Sequence, residues 1–578
     1  MDQTALKRLI DVAMGRERAD LCIRNCRVVD VCTRSIFPAD VYVDRGLIVG
    51  FGGEDFPYAR ETVDVQGAYL APGFIDSHVH IESSHVSPAE FSRLVVPHGT
   101  TTIIADPHEI CNVCGLDGFD YMLRATEQLP LQVFLQLPSC VPCTPFENAG
   151  AVLNAAELVK RIDLDRVLGL GELMNYVGVC AGDEGVLDKL LTARRAGKLV
   201  DGHSPGLTGN SLDAYIGAGV RTDHECSTPE ELRDRVRRGM YVLLREGTAT
   251  KDVLRLLPGV DEHSFQLCAF CTDDRQSADL VMEGHIDNAL RIAIAHGLDP
   301  VTAITMATWN AANCYGLEDR GAIVPGRRAD LVLFQDLSNL WVDSVWVAGK
   351  LVARDGQYLR EDPKVEPKNV RGRMNVRNFS AERLRLPITG DTVRTIRIIP
   401  DSVVTESDRE TASVSPAGEW VRDSRDIVKI AVVERHKGTG NVGIGLLEGF
   451  GLRGGAIATS VAHDSHNIIV AGDSDEDMAL AVNRLVEMGG GMALVKDGVV
   501  LDSFAHEIAG LMTDRPGEYV ARRLAQLGEK AHEQLGIHPW VDPFMTLCFM
   551  ALPVIPELKI TDQGLFDVQQ FCHVPVEA

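Results

Sequence analysis

Short apolar runs separated by turn residues punctuate positions 20–70: Leu21-Cys-Ile-Arg24, Arg27-Val-Val-Asp-Val31, Asp40-Val-Tyr-Val43 and Leu47-Ile-Val-Gly-Phe51. Runs of this length and residue type predict strands. The same texture returns far downstream, at Asp330-Leu-Val-Leu-Phe334 and Val342-Asp-Ser-Val-Trp-Val-Ala-Gly349. The two clusters predict one small, β-sandwich-like sheet domain that is discontinuous in sequence (1–70 plus 321–360), with a larger domain, 71–320, inserted between them.

Within that insertion strand and helix signals alternate. The expected strands are 73–78, 100–105, 132–137, 167–171, 199–202, 219–222, 241–245 and 265–271. Helical stretches fall between them, for example 89–96, 117–128, 184–195 and 228–238. Thr228-Pro-Glu-Glu231 is a strong helix start, with an N-cap Thr, Pro at the first position and Glu at the third. Eight strand-then-helix units in about 250 residues are the signature of a TIM-type (β/α)8 barrel, whose active site belongs at the C-terminal strand ends. The fold class is therefore α/β. A polar, arginine-rich connector follows at about 354–385. Residues 385–578 carry their own strand and helix pattern and predict an additional C-terminal α/β domain. Its glycine-rich stretch, Gly438-Thr-Gly-Asn-Val-Gly-Ile-Gly445, does not follow the phosphate-loop order and reads as tight turns or close backbone packing.

Composition narrows the function classes. The chain has 578 residues, 45% hydrophobic and 24% charged, with a formal net charge of −25. That balance is globular and argues against a nucleic-acid or anionic-membrane surface. No apolar run approaches the length of a transmembrane helix, and the first residues, Met1-Asp-Gln-Thr-Ala-Leu-Lys-Arg8, lack a signal-peptide core. Fourteen cysteines without a disulfide framework suit a reducing cytoplasm.

The chemistry sits at the strand ends. His78 and His80 close the first expected strand, and residues i and i+2 of a strand face the same side. The fourth strand ends in Gly171-Glu172, the fifth in Asp201-Gly-His203, the sixth in Asp223-His224 and the eighth in Asp273-Asp274. In a barrel these ends converge on one mouth. Four imidazoles and at least two carboxylates exceed the needs of one tetrahedral ion and suit two ions bridged by a carboxylate and a hydroxide.

This constellation resembles the amidohydrolase superfamily: a His-x-His on strand one, single His residues on strands five and six, and an Asp on strand eight. Gly321-Ala-Ile-Val-Pro-Gly-Arg-Arg-Ala-Asp-Leu-Val332 is similar to that superfamily's return from barrel to sheet. Many binuclear members bridge their ions with a carboxylated Lys on strand four, where this chain has Glu172. Within the superfamily the chain resembles the bacterial adenine deaminase family over almost its whole length. The stretches that carry the likeness include His78-Val-His-Ile-Glu-Ser-Ser84, Asp106-Pro-His-Glu-Ile110, Gly171-Glu-Leu-Met-Asn175, Asp201-Gly-His-Ser-Pro-Gly-Leu207, Thr222-Asp-His-Glu225, Leu244-Arg-Glu-Gly247 and Cys271-Thr-Asp-Asp-Arg275. Val461-Ala-His-Asp-Ser-His-Asn467 is similar to the family's C-terminal domain.

The resemblance implies hydrolysis of adenine to hypoxanthine and ammonia with two divalent ions per chain, Mn2+ or Fe2+. The expected metal ligands are His78, His80, Glu172, His203, His224 and Asp273. Glu172 is expected to bridge and Asp273 to shuttle the proton. Asp106, His108 and Glu109 either hold an additional cation, shape the pocket or form a helix-start network. Glu172, as the metal-bound carboxylate, is a candidate for protonating the purine ring, and so are Glu82, Glu225 and Glu246, which lie near expected strand ends and read equally as ordinary surface or loop carboxylates. His463 and His466 either close over the base or stabilise a turn. The expected partners are the small-molecule substrate and further copies of the chain in a homo-oligomer, with neither nucleic acid nor membrane. The alternatives are another C–N hydrolase acting on a related purine or cyclic amide, and a catalytically silent barrel scaffold. His80-Ile-Glu82 followed by Cys111-Asn-Val-Cys114 mimics the zinc cytidine deaminase signature, but Ile110 stands where Pro is expected and the other strand-end residues go unused.

Overall fold

The computed structural model describes residues 2–52, 59–377, 379–400 and 402–578. Met1 and 53–58 in the expected sheet domain, Asn378 in the connector and Asp401 in the C-terminal part lie outside the described residues.

The early and late strand clusters join in one nine-stranded sheet. Leu21–Asp30 lies near its middle, antiparallel to Ser35–Asp44 and parallel to Tyr69–Pro72. The join is Tyr69–Pro72 against Leu331–Phe334, antiparallel, with Pro72 opposite Leu331 and Tyr69 opposite Phe334. Ile23, Val28, Val41, Ile48, Leu70, Leu331 and Trp346 fill its core.

Between the clusters run eight parallel strands: β1 (Phe74–Val79), β2 (Thr100–Ala105), β3 (Gln132–Leu137), β4 (Val167–Leu173), β5 (Leu199–Gly202), β6 (Thr222–Asp223), β7 (Tyr241–Arg245) and β8 (Cys268–Cys271). β1 to β5 form one sheet in sequential order and β6 to β8 another. The result is an α/β architecture with a curled parallel sheet. At one seam Asp273 N donates to His78 O at 2.9 Å, and His80 N donates to Asp273 O at 3.2 Å. At the other seam Arg221 N donates to Val200 O at 2.9 Å. Ile75, Ile104, Phe134, Leu168, Leu199, Leu243 and Ala269, drawn from seven of the strands, pack together as one cluster. Helices Pro88–Val95, Leu116–Ala125, Glu184–Arg195 and Pro229–Arg237 fall where the periodicity places them, and Thr228 and Glu231 form a full capping box.

Two strands are shorter than their apolar runs. β6 cannot begin at Gly219, which sits at φ +104, outside the extended region. Residues 265–267 form a 3-10 turn ahead of β8, tied by Asn310 Nδ2 donating to Phe265 O (2.6 Å) and Cys268 O (2.9 Å).

The last part of the chain holds an eight-stranded sheet, covered by helix Asp475–Met488, and a three-stranded sheet. The glycine-rich stretch serves turns and packing. Gly438 and Gly440 have φ of +63 and +80, and a Cβ on Gly443 would meet Thr561 O at 1.9 Å. This part docks on the C-terminal ends of the parallel strands. Ser465 Oγ donates to Glu147 Oε2 at 2.7 Å, and Asn148 N donates to Asp562 Oδ1 at 2.9 Å. Among the described residues no helix is long and apolar enough to cross a membrane.

Lys559, on strand Leu558–Thr561, is fully buried and donates to Val403 O at 2.8 Å. Burial pushes its pKa down to about 7. The unfolded chain's Lys titrates at about 10.4. Between those values the unfolded state binds more protons than the native state, so stability rises with pH through that window and is lowest below about pH 7. Lys559→Met should raise the melting temperature most below about pH 7 and flatten its rise toward about pH 10. Parallel melting-temperature profiles for variant and parent would contradict this.

Candidate metal centre

The strand ends converge as their positions in sequence imply. His78 and His80 project from β1, with ring centroids 4.7 Å apart, and their Nε2 atoms stand 3.1 Å from each other. Glu172, at the end of β4, is 2% exposed. Its Oε1 lies 3.3 Å from His80 Nε2 and 3.8 Å from His78 Nε2. Its Oε2 lies 2.7 Å from His203 Nδ1 and 3.3 Å from His224 Nε2. Asp273 Oδ1 is 3.1 Å from His80 Nε2 and 3.9 Å from His78 Nε2. One carboxylate thus divides its two oxygens between two histidine pairs.

Neighbouring groups fix these side chains. Asp106 Oδ2 accepts Glu172 N at 2.9 Å, and a Cβ on Gly171 would lie 1.9 Å from that oxygen, so the Asp106 carboxylate fits here only over glycine. His80 Nδ1 donates to Asp106 O at 2.8 Å. A carbonyl can only accept, so this ring carries its proton on Nδ1 and turns the Nε2 lone pair toward Glu172 and Asp273. Asp223 accepts Arg235 Nε (2.5 Å) and Ser204 N (3.1 Å) in a fully buried pair that anchors the loop bearing His224. Asp76 Oδ1 accepts His78 N (3.2 Å) and Thr272 N (3.1 Å), tying β1 to β8.

The donor set fits divalent cations. His78, His80 and Glu172; Glu172, His203 and His224; and His78, His224 and Asp273 each bring ligand atoms within 4.8 Å of one another. Burial, with His224 and His80 alongside, holds the His78 imidazole well below its usual pKa, the neutral state that a ligand needs. Burial raises the Glu172 carboxyl, but hydrogen bonds from His203 and His224 outweigh it and hold the group well below the carboxylate range. Two facing imidazole nitrogens beside two ionised carboxylates are the arrangement a cation relieves.

The other sequence candidates divide. Glu225 lines the cavity above the cluster, 3.4 Å from His224 Nε2. Glu82 is buried away from that wall and accepts Ile110 N at 3.2 Å, and Glu246 lies beside Lys251 and Arg275. Burial raises both of these carboxyls to about 7. His108, on helix His108–Cys114, reaches within 3.4 Å of Glu172 Oε1. Glu109 meets His463 Nδ1 at 2.7 Å and also pairs with His466 Nε2, so the 463–467 loop of the same chain stands at the strand ends. The cavity, about 400 Å3, is also lined by the apolar side chains of Val404, Phe549, Leu552 and Ile555.

Sequence reading passed over Arg245, at the end of β7. Its Nη1 donates to Asp273 Oδ2 at 2.8 Å and also pairs with Glu225, while Nη2 donates to Asp252 Oδ2 at 3.1 Å. The strand-end rule that selected the histidines applies equally to this residue. The apolar wall carries no such signal, because Val404, Phe549, Leu552 and Ile555 are residue types that a core uses equally.

The profile of the Amidohydrolase family matches residues 69–352, and that of the Adenine deaminase C-terminal domain matches 402–572. "Adenine deaminase" of Nitratidesulfovibrio vulgaris (strain DP4) is 54% identical over 571 residues, covering 99% of each chain. The chain belongs to the adenine deaminase family. "Adenine deaminase 2" of Desulfotalea psychrophila (strain LSv54 / DSM 12343) is 52% identical over the full length of both chains. "Adenine deaminase 2" of Carboxydothermus hydrogenoformans (strain ATCC BAA-161 / DSM 6008 / Z-2901) is 49% identical over 99% of each. The protein is an enzyme, and its His/Asp/Glu cluster carries hydrolytic deamination chemistry.

Arg245 offers a test of the site's wiring. Arg245→Lys keeps the charge but not the planar fork that holds Asp273, Glu225 and Asp252 together. Turnover should fall at least about tenfold through misplacement of Asp273. Arg245→Ala leaves three carboxylates without their cation and should cost about 3–5 kcal/mol of stability. Parental turnover in the first variant with a parental melting temperature in the second would contradict this wiring.

Proposed function

We propose that the chain hydrolyses adenine to hypoxanthine and ammonia. The observation that carries the reading is the division of the Glu172 oxygens between the pairs His78/His80 and His203/His224 at the floor of a cavity of about 400 Å3. His78, His80 and Asp273 would hold one divalent ion and His203 and His224 the other, with Glu172 lying between the two sets. The mixed imidazole and carboxylate set supports Mn2+ or Fe2+. When bound, the ions supply Lewis acidity that brings the pKa of water near neutrality.

In the net reaction a C6–O bond forms, the C6–N6 bond breaks, and water's protons pass to the departing amine and the ring. Asp273 presents Oδ1 to the histidines while Arg245 holds its Oδ2. It is placed to take a proton from the attacking water and return it to N6. Glu225, on the cavity wall, is placed to serve the ring nitrogen. The apolar wall of Val404, Phe549, Leu552 and Ile555 packs against the flat base and excludes water.

The wider reading follows the same lines. We take the two parallel sheets as one closed (β/α)8 barrel, supported by hydrogen bonds at both seams. We divide the chain into 1–70 plus 321–360, 71–320 and 385–578. Fourteen free thiols support a reducing, cytoplasmic setting, and a homo-oligomer remains part of the proposal.

The test is ammonia release from purines and pyrimidines by Mn2+- or Fe2+-reconstituted protein. Adenine should exceed adenosine, guanine and cytosine by tenfold or more, since each misplaced polar group costs roughly 1–3 kcal/mol in a buried site. Equal rates on adenosine would point to a nucleoside deaminase. Asp273→Asn should lower kcat by at least about a hundredfold while the protein stays folded. Near-parental turnover would move the proton-transfer role away from Asp273.

A further inference from the structure

Beside the centre already described lies a second buried group of ligand-type side chains, assembled from two distant parts of the chain. His108 and Glu109 open helix His108–Cys114, and His463 and Asp464 belong to the loop between strands Ala456–Thr459 and Ile468–Gly472. Glu109 Oε1 lies 2.7 Å from His463 Nδ1 and 3.4 Å from His108 Nε2. Asp464 Oδ1 lies 3.9 Å from both of those nitrogens. All four residues are at most 5% exposed. We propose that His108, Glu109, His463 and Asp464 bind a further divalent transition-metal cation, distinct from the pair shared by Glu172, which clamps the C-terminal loop to the strand ends.

Three observations point to a cation rather than a hydrogen-bonded cluster. Asp464 is 1% exposed, and its Oδ2 has no hydrogen-bond partner in the structure. A buried carboxylate without donors is costly unless a cation or proton compensates it. Glu109 and Asp464, when both are ionised, present two negative charges, which one divalent ion balances. The nearby arginine, Arg435, spends its donors on the backbone carbonyls of His466, Ala509 and Arg373 instead. Two imidazoles and two carboxylates also form a donor set suited to borderline divalent metals.

The remaining histidine has a different part. His466 Nδ1 accepts Ala462 N at 3.1 Å, so a neutral ring carries its proton on Nε2 and donates it to Glu109 Oε2. His466 is therefore a positioning residue that orients Glu109 and leaves Oε1 for the ion. His463 lies against Cys548 on its other side, and its ring is 4.8 Å from that of Phe549. The clamp thereby fixes one edge of the apolar wall over the cavity. His108 bridges the two centres, with Nδ1 3.4 Å from Glu172 Oε1.

The test is metal content of the full chain, stripped by chelator, reconstituted with Mn2+ and freed of loose ion. The parent should hold three Mn2+, Asp464→Asn and His463→Gln two, and Glu172→Gln one. Anomalous diffraction from the Mn2+-loaded parent should show a peak within bonding distance of Glu109 and His463. Two Mn2+ in the parent, unchanged in Asp464→Asn and absent in Glu172→Gln, would overturn the further site while leaving the pair intact. Three Mn2+ in both Asp464→Asn and His463→Gln would also overturn it. A Glu172→Gln protein that keeps its full complement would count against the pair alone.

Discussion

A carboxylate buried to 2% exposure, yet held ionised between two pairs of imidazoles, is the constraint around which the molecule is arranged. Removing such a charge from water is expensive, and only groups placed with ångström accuracy offset that cost. Glu172 faces His78 and His80 with one oxygen and His203 and His224 with the other. These five side chains come from β1, β4 and the segments following β1, β5 and β6, over nearly 150 residues. A curled parallel sheet brings such ends together while its apolar interior packs elsewhere.

The supporting contacts explain why neighbouring residues are what they are. Asp106 receives the Glu172 amide and, through its own carbonyl, orients His80, and Gly171 leaves room for its carboxylate. Asp223 and Arg235 form a fully buried pair below His224, and Arg245 gathers Asp273, Glu225 and Asp252. The C-terminal part contributes both the apolar wall and the 463–467 loop that meets Glu109. The cavity is therefore a joint product of the parallel-strand region and the last third of the chain, which binds the architecture of that domain to the chemistry below it.

Much of this was legible in the sequence because strand ends obey a simple register. The alternation at His78-Val-His80, the Gly-Glu at 171–172 and the histidines at 203 and 224 all mark the C-terminal ends of parallel strands. The full capping box at Thr228 was equally plain, since its signal is local. β6 does not begin at Gly219 because that residue takes a positive φ, which is not visible in an apolar run. Arg245 reads as an ordinary charge until its three partners, far apart in sequence, are seen together. Phe549 and Leu552 read as core because a substrate wall and a core demand the same residues. The polar density at 462–467 was conspicuous, but its partner, Glu109, lies more than 350 residues away, and only the fold joins them.

The central claim is that Glu172 stands between two metal ions. Anomalous diffraction from crystals of Mn2+-reconstituted protein tests it directly. Two manganese peaks flanking the Glu172 carboxylate, one beside His78 and His80 and the other beside His203 and His224, are the expected result. A single peak at this cluster, or ions that leave both Glu172 oxygens unligated, would contradict it.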